Sequence, residues 1–364
     1  MKKISTMVMA AVLAITLITF FSLTSCKTTT ETTAAETTAA AATAAETTAA
    51  GTNYRLCRID KTIGNPYFDA EQKGWEEAAK GVGFEVIMRG PEQTTAEAQI
   101  EIMTQLIAQK VDGISYFAND PSSLASSAKK AMDAGIKVVG MQSGKVADSR
   151  NMSTEPVDPQ LVGIDNVKMM AELINSEGEI AIVSSTPTME NQNVWIGYMK
   201  EELKKPEYAK MTLVDVVYPD LEDMDHSYAV ALGLIKAHPN LRGIISPTTV
   251  GIAASAKAIT DKGLVGKIEL TGLGLPSQMA EYVASGVCKL FGLWSPIDEG
   301  YWNAYILYNL VTGKITGAPG EEFDAGRMGH FKIVPVEGQT YGIAYMGGVL
   351  RFDKNNIDKY KSFL

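Results

Sequence analysis

Histidine is nearly missing from this chain. His226, His238 and His330 are the three in 364 residues. They lie far apart, with no partner at helical or Cys-x-x-Cys-like spacing. That removes the commonest metal ligand and the commonest general base from any concentrated site. Cysteine is as rare, at three residues, and no two are spaced as a metal clip or redox pair. No Gly-x-Ser-x-Gly elbow, phosphate-binding loop or His-Glu-x-x-His helix occurs. Gly272-Leu273-Gly274 is too short for a dinucleotide fingerprint. The expectation is a chain without metal or cofactor that is not an enzyme. Long basic runs are missing too. Lys and Arg number 33 against 42 Asp and Glu, a formal charge of −9 that becomes −11 once Lys2 and Lys3 leave with the leader. An acidic chain with no basic run is a poor nucleic-acid partner.

What is there begins with an address. Lys2 and Lys3 precede an apolar run, Met7 to Phe21. It is short for a membrane span and right for the core of a signal peptide. Leu23-Thr24-Ser25-Cys26 closes it and resembles the bacterial lipobox. Its small residues admit a peptidase, and Cys26 supplies the thiol to be lipidated. Several acyl chains anchor stably where one binds only marginally. Residues 1–25 are therefore expected to be removed, and the chain from Cys26 to be held outside the cytoplasm, on the outer face of the cytoplasmic membrane. Lys27 to Thr52 is almost wholly Thr, Ala and Glu, with no aromatic and no Leu, Ile or Val. With nothing to bury, it reads as a disordered tether. Cys57 and Cys288 each sit in an apolar run and read as buried free thiols, with a disulfide between them as the alternative.

From Tyr54 onward, β-rich runs alternate with helical patterns. Strands are predicted at Tyr54–Ile59, Phe84–Met88, Gly113–Phe117, Lys137–Met141, Glu179–Ser184, Thr212–Tyr218, Gly243–Ser246, Ile268–Gly272 and Lys289–Trp294. Between them lie helices such as Ala96–Gln109, with Ile100, Met103, Leu106 and Ile107 on one face. Gly135 and Gly286 read as helix stops. Alternation of this kind implies an α/β fold of parallel sheets flanked by helices. The strands suffice for one large sheet or two smaller ones. The pattern weakens from Lys145 to Asp158, around Pro156, where a crossover between two lobes is expected.

Ligands in such sheets bind beyond the carboxyl ends of the strands. The turns there carry Lys61, Asn65 and Phe68; then Gln142; then Asn191, Gln192 and Asn193; then Pro247, Thr248 and Thr249; then Gly274; then Trp294. Amides, hydroxyls and aromatics dominate, and little negative charge is expected opposite Lys61. Amides donate and accept, as a sugar hydroxyl does. Aromatic rings cover the apolar faces of a pyranose. A clamp for a small neutral polyol follows. Each residue also has a plainer reading. Lys61 suits a surface. Asn65-Pro66 is a helix-entry cap, and Asn191 suits another. Trp294 can simply fill a core, and Pro247-Thr248-Thr249 can be a plain turn before a helix.

These turns also carry a resemblance. "NDPSSL", "STPTMENQNVW", "SPTTVGIAASAKAITDKGLVGKIELTGLGLPSQMA", "LWSPIDEGY" and "AGRMG" are similar to type I periplasmic binding proteins of the ribose-binding fold. Within it they match the branch of rhamnose- and autoinducer-2-binding proteins, the rhamnose binders in particular. The resemblance covers Tyr54 to Leu364. It implies two similar hinged lobes, each a parallel sheet flanked by helices. They would comprise 54–156 with about 293–320, and 157–292 with about 321–364. It implies a monomer that serves an ABC transporter permease, with L-rhamnose or a close 6-deoxyhexose as ligand. Autoinducer-2 or a pentose is the alternative, and presentation to a chemoreceptor is compatible. The family's contacts fall on Lys61, Phe68, Asn191, Gln192, Pro247, Thr249 and Trp294. Relatives carry Trp-Asp-Ser where this chain has Met141-Gln142-Ser143, so an amide stands in place of a carboxylate. Transcription regulators share the fold but need a DNA-binding segment where this chain has lipobox and tether.

Overall fold

The structure, a computed structural model, describes residues 53–142, 146 and 148–364. The leader, Cys26 and the tether lie outside the described residues. The chain begins with β1 (Arg55–Ile59), α1 (Pro66–Val82), β2 (Glu85–Arg89), α2 (Ala96–Ala108), β3 (Gly113–Tyr116), α3 (Pro121–Asp133), β4 (Lys137–Met141) and β5 (Met152–Val157). It continues through α4 (Pro159–Ile174), β6 (Glu177–Val183), α5 (Glu190–Glu202), β7 (Lys210–Val217), α6 (Met224–Ala237), β8 (Leu241–Ser246), α7 (Thr249–Asp261), β9 (Glu269–Gly272), α8 (Pro276–Ala284) and β10 (Leu290–Leu293). Then come α9 (Pro296–Val311), β11 (Glu322–Asp324), β12 (His330–Lys332), β13 (Val334–Pro335), β14 (Gly342–Gly347), β15 (Leu350–Asp353) and α10 (Ile357–Tyr360). All nine predicted strands are present within two residues of the expected ends.

Two principal sheets form. One has seven strands in the order β13-β14-β5-β4-β3-β1-β2, parallel except for β13. The other has four parallel strands, β7-β6-β8-β9. A parallel bridge from Leu273 to Gly292 sets β10 beside β9, and β15 pairs antiparallel with β10. β3, β8, β9 and β10 are inward-facing along most of their lengths, as expected of strands covered on both faces.

The chain passes between the sheets three times: after β5, between β10 and α9, and between β14 and β15. Two expectations need correction here. The weak stretch before Pro159 contains a strand, β5, whose polar residues Ser153, Thr154 and Glu155 are all buried. Segment 321–347 does not belong with the four-stranded sheet. β14 pairs with β5 through Ile343–Ser153 and its neighbours, so only residues from β15 onward return to the second sheet.

α1 and α9 pack backbone to backbone. A methyl group on Gly74 would sit 1.9 Å from the Ile297 carbonyl oxygen, and one on Gly300 would sit 2.1 Å from that of Glu71. Both glycines are therefore required for the approach, without needing a left-handed φ. Asn65 caps α1, its side chain accepting from Tyr67 N at 3.0 Å with Pro66 in the first turn. Gly135 and Gly286 follow their helices at φ 87° and 77°, the left-handed stop expected of them.

Cys57 and Cys288 are buried and free. Burial pushes the Cys57 thiol up to about 12 and raises Cys288 as well. A thiol reagent at pH 8 is expected to find neither in the native Cys26→Ser chain and both after denaturation. Rapid modification of one native thiol would show that its strand opens.

Candidate ligand site between the two sheets

The strand ends of both sheets face one cavity. Ten of the twelve residues expected from the sequence line it: Lys61, Asn65, Phe68, Gln142, Asn191, Gln192, Pro247, Thr248, Thr249 and Trp294. Asn193 does not. One position further round the helix, it donates to the Pro187 carbonyl at 2.8 Å. Gly274 is also outside. It donates to Gly292 O at 3.0 Å, and a Cβ there would meet Met279 and Phe291. Its role is close packing of β9 on β10.

The first strand builds one wall. Arg58, 1% exposed, grips Asp60 through two bonds of 2.6 and 2.9 Å, pairs with Glu71 at 3.3 Å, and donates to the Phe68 carbonyl at 2.9 Å. That pins the first turn of α1 and points Phe68 at the cavity beside Phe117, with ring centroids 5.2 Å apart. Behind it, fully buried Gln99 donates to the carbonyls of Asp60 and Phe117 at 2.8 and 2.7 Å and accepts from Asn119 N at 2.8 Å. Asn119 in turn donates to the Lys61 carbonyl at 2.9 Å. The turns carrying Lys61 and Phe117 are thus stitched together by buried amides.

Lys61 reaches into the cavity and is 5% exposed. Burial lowers its pKa, and Glu222 is foremost among the carboxylates that pull it back up. Glu222 itself lines the cavity and accepts from Thr248 Oγ1 at 2.5 Å. The expectation of little negative charge opposite Lys61 is therefore wrong, and charge alone does not argue against a zwitterionic ligand. Thr248 precedes α7 but makes no side-chain cap, its hydroxyl being spent on Glu222. Asn191 is no cap either, since α5 begins before it.

Asn191 crosses from the second sheet. It accepts from Lys61 Nζ at 3.1 Å and donates to Gln142 Oε1 at 3.3 Å. Gln142 donates to Glu299 Oε1 and to the Tyr67 hydroxyl, both at 2.7 Å. Tyr67 donates to Glu299, and the Trp294 indole donates to both at 2.8 Å. Gln142 holds φ at 55°, the left-handed region that non-glycine residues seldom occupy and that clusters at functional sites. Glu299 is fully buried, and that burial pushes it up to about 7 against the three hydrogen bonds that hold it down.

Along the face of α5, Gln192 and Trp195 close the far side. Gln192 Oε1 and Trp195 Nε1 have no partner among the described residues. A buried acceptor and a buried donor so left are costly unless a bound molecule meets them. The Trp195 ring meets Trp294 edge to face at 6.0 Å, and Leu273 and Leu293 complete an apolar strip. Two further bonds draw the sheets together: Thr188 Oγ1 to Asn119 O at 3.2 Å, and Glu222 N to Thr94 Oγ1 at 3.3 Å. No group of His, Cys, Asp and Glu suited to a metal ion occurs among the described residues. Tyr67, Phe117, Trp195, Glu222, Leu273, Leu293 and Glu299 are the site residues that sequence reasoning missed. Only Trp195 had a readable signal, lying three residues after Gln192 on the same helical face.

Comparison with known proteins fits this architecture. The periplasmic binding protein domain family matches residues 59–315. An ABC transporter solute-binding protein from Clostridium phytofermentas, solved with bound L-rhamnose, is 32% identical, with a TM-score of 0.83 over 86% of this chain and 99% of that one. LsrB from Clostridium saccharobutylicum in complex with AI-2 shares the fold at 21% identity, with a TM-score of 0.79 over 84% of this chain and 99% of that one. The D-ribose/D-allose-binding protein of Pseudomonas aeruginosa is 24% identical over 228 residues, which are 60% of this chain and 70% of that protein.

Proposed function

The chain belongs to the periplasmic binding protein family, among sugar-binding proteins of ABC transporters, and we propose that it binds L-rhamnose or a close 6-deoxyhexose between its two sheets and delivers it to an importer permease. The family consists of solute-binding proteins rather than enzymes. One observation carries the ligand reading: a ring-walled cavity in which Lys61, Gln142, Gln192 Oε1 and Trp195 Nε1 converge. Phe68, Phe117 and Trp294 give a methyl group and a sugar's C–H face an apolar wall. The amides, the ammonium and the indole N–H give its hydroxyls partners. The relative solved with L-rhamnose supports the choice of sugar. Glu222 favours a second reading, a furanosyl signal, because a carboxylate accepts from two adjacent hydroxyls.

In this reading the three passages between sheets act as a hinge, and the bonds from Lys61 to Asn191 and from Thr188 to Asn119 form on closure. The protein works as a monomer held by a lipid on Cys26. Calorimetric titration of the Cys26→Ser chain tests the ligand. Heat with L-rhamnose at micromolar concentration is expected. No heat with it, together with binding of a furanosyl signal or a pentose, overturns the assignment. Metabolic labelling with a palmitate analogue is expected to mark the wild type and not Cys26→Ser. Equal labelling of both removes the anchor.

A further inference from the structure

The hydrogen bonds at the cavity floor run in one direction. Lys61 is donor-only, and an ionised Glu299 is acceptor-only. Between them, Lys61 donates to Asn191, Asn191 to Gln142, and Gln142 to Glu299, at 3.1, 3.3 and 2.7 Å. An amide side chain is free to present either end, and its environment decides which. Here both ends of the chain are fixed by groups that have only one role. Glu299 stands behind the cavity wall, and Asn191 and Tyr67 on it, so one Gln142 N–H is drawn back to Glu299, the other to the Tyr67 hydroxyl, and the oxygen is turned to the side of Asn191.

We propose that Glu299 is a specificity-determining positioning residue: it locks the Gln142 amide with its oxygen toward the cavity, so that the floor accepts from a ligand hydroxyl there without carrying a charge. The inference rests on the sugar-binding reading for its ligand, though not for its geometry. Gln142 is held by both of its N–H groups, to Glu299 and Tyr67, while its oxygen takes one bond from Asn191. One lone pair is left for a hydroxyl. Trp294, whose indole donates to Glu299 and Tyr67, is oriented by the same carboxylate. Removing the acceptor frees the Gln142 amide to turn over. Asn191 would then turn as well, and the Lys61 ammonium would lose its partner.

The groups around Glu299 are Tyr67 and Glu71 on α1, Arg58 on β1 and Gln142 beyond β4. Two cations act on it, and both are already engaged, Arg58 by Asp60 and Glu71 and the more distant Lys61 by Asn191. Glu299 depends on neutral donors for its charge, so ionisation and the hold on Gln142 rise together with pH. Rhamnose affinity of the wild type is expected to be about threefold lower at pH 5.5 than at pH 8.

The experiment has two arms on the full chain. In the first, L-rhamnose is titrated into the wild type, Glu299→Gln, and the exchange Gln142→Glu with Glu299→Gln. The single variant is expected to lose about tenfold in affinity and its pH dependence. The exchange restores a donor behind and an acceptor in front, and is expected to return within about threefold of the wild type. Wild-type affinity in Glu299→Gln, or an exchange no better than the single variant, overturns the proposal. The second arm uses no sugar. Nitrogen-proton spectra follow the Trp294 indole and the Gln142 side-chain amide across pH. Both are expected to shift with a midpoint near 7 in the wild type and to be flat in Glu299→Gln. Signals that do not titrate in the wild type overturn the proposal. If rhamnose gives no heat with the wild type while these signals titrate as expected, the sugar assignment falls and the positioning role stands.

Discussion

Alanine at both Gly74 and Gly300 is expected to remove about 4 kcal/mol of stability. Overpacking a core by one methyl usually costs about 1–3 kcal/mol because side chains shift to make room. Here the obstructing atoms are backbone carbonyl oxygens at 1.9 and 2.1 Å, which have no rotamer to move into. α1 and α9 would have to part along their contact. Tyr67 and Phe68 ride on the first helix and Glu299 on the second, so sugar affinity is expected to fall with stability. Gly81→Ala on α1 is the control. Its nearest neighbour is the Tyr305 hydroxyl at 3.3 Å, and a helical Gly-to-Ala change there is expected to stabilise by about 0.5–1 kcal/mol. Urea unfolding of the three chains decides. A double variant within about 1 kcal/mol of the wild type would show that the helices separate without penalty.

Lys61→Ala is expected to weaken rhamnose binding about 100-fold, near the upper end for one buried, charge-assisted partner. The ammonium has three protons, and one goes to Asn191. The others are available to a ligand hydroxyl and to the field of Glu222. Its removal deprives the ligand of a donor and takes away the ammonium on which that carboxylate acts. Gln192→Ala is expected to cost about tenfold, the worth of one neutral bond. Asn193→Ala is expected to change nothing, because its amide is turned to Pro187. Calorimetry on the three variants, with thermal unfolding as a check on folding, separates the cases. Equal losses at Gln192 and Asn193 would place the ligand elsewhere.

Much of this body could be read before any coordinates. The strands announce themselves because apolar runs alternate with helical faces, and the rule about strand carboxyl ends picked turns that converge on one cavity. What escaped has definite causes. β5 is buried yet polar, so Ser153, Thr154 and Glu155 give no apolar signal. Glu222 lies in an acidic stretch, Asp220 to Asp225, that reads as solvated charge. Glu299 occupies the first turn of α9 next to Asp298, where acidic residues are expected for the helix dipole alone. Gln99 shares the buried face of α2 with Met103 and Leu106, but a polar side chain adds nothing to an apolar pattern. Asn193 and Gly274 were wrong by one position each. A helix turns about 100° per residue and a strand flips faces at every step, and composition of a turn does not say which neighbour faces in.

The route of the chain has a consequence for its birth. β14 pairs with β5 across some 190 residues, Ile343 with Ser153, and β15 joins β10 after another return. The first sheet lacks β14 until Gly342–Gly347 has been made, and β15 (Leu350–Asp353) follows only after that. Pairings this distant in sequence are slow to form. An emerging chain therefore assembles strand-and-helix units early but cannot close its first sheet until synthesis is nearly finished. That delay leaves the first sheet open through most of synthesis, and a truncation of the carboxyl end would take β14 from β5 as surely as β15 from β10.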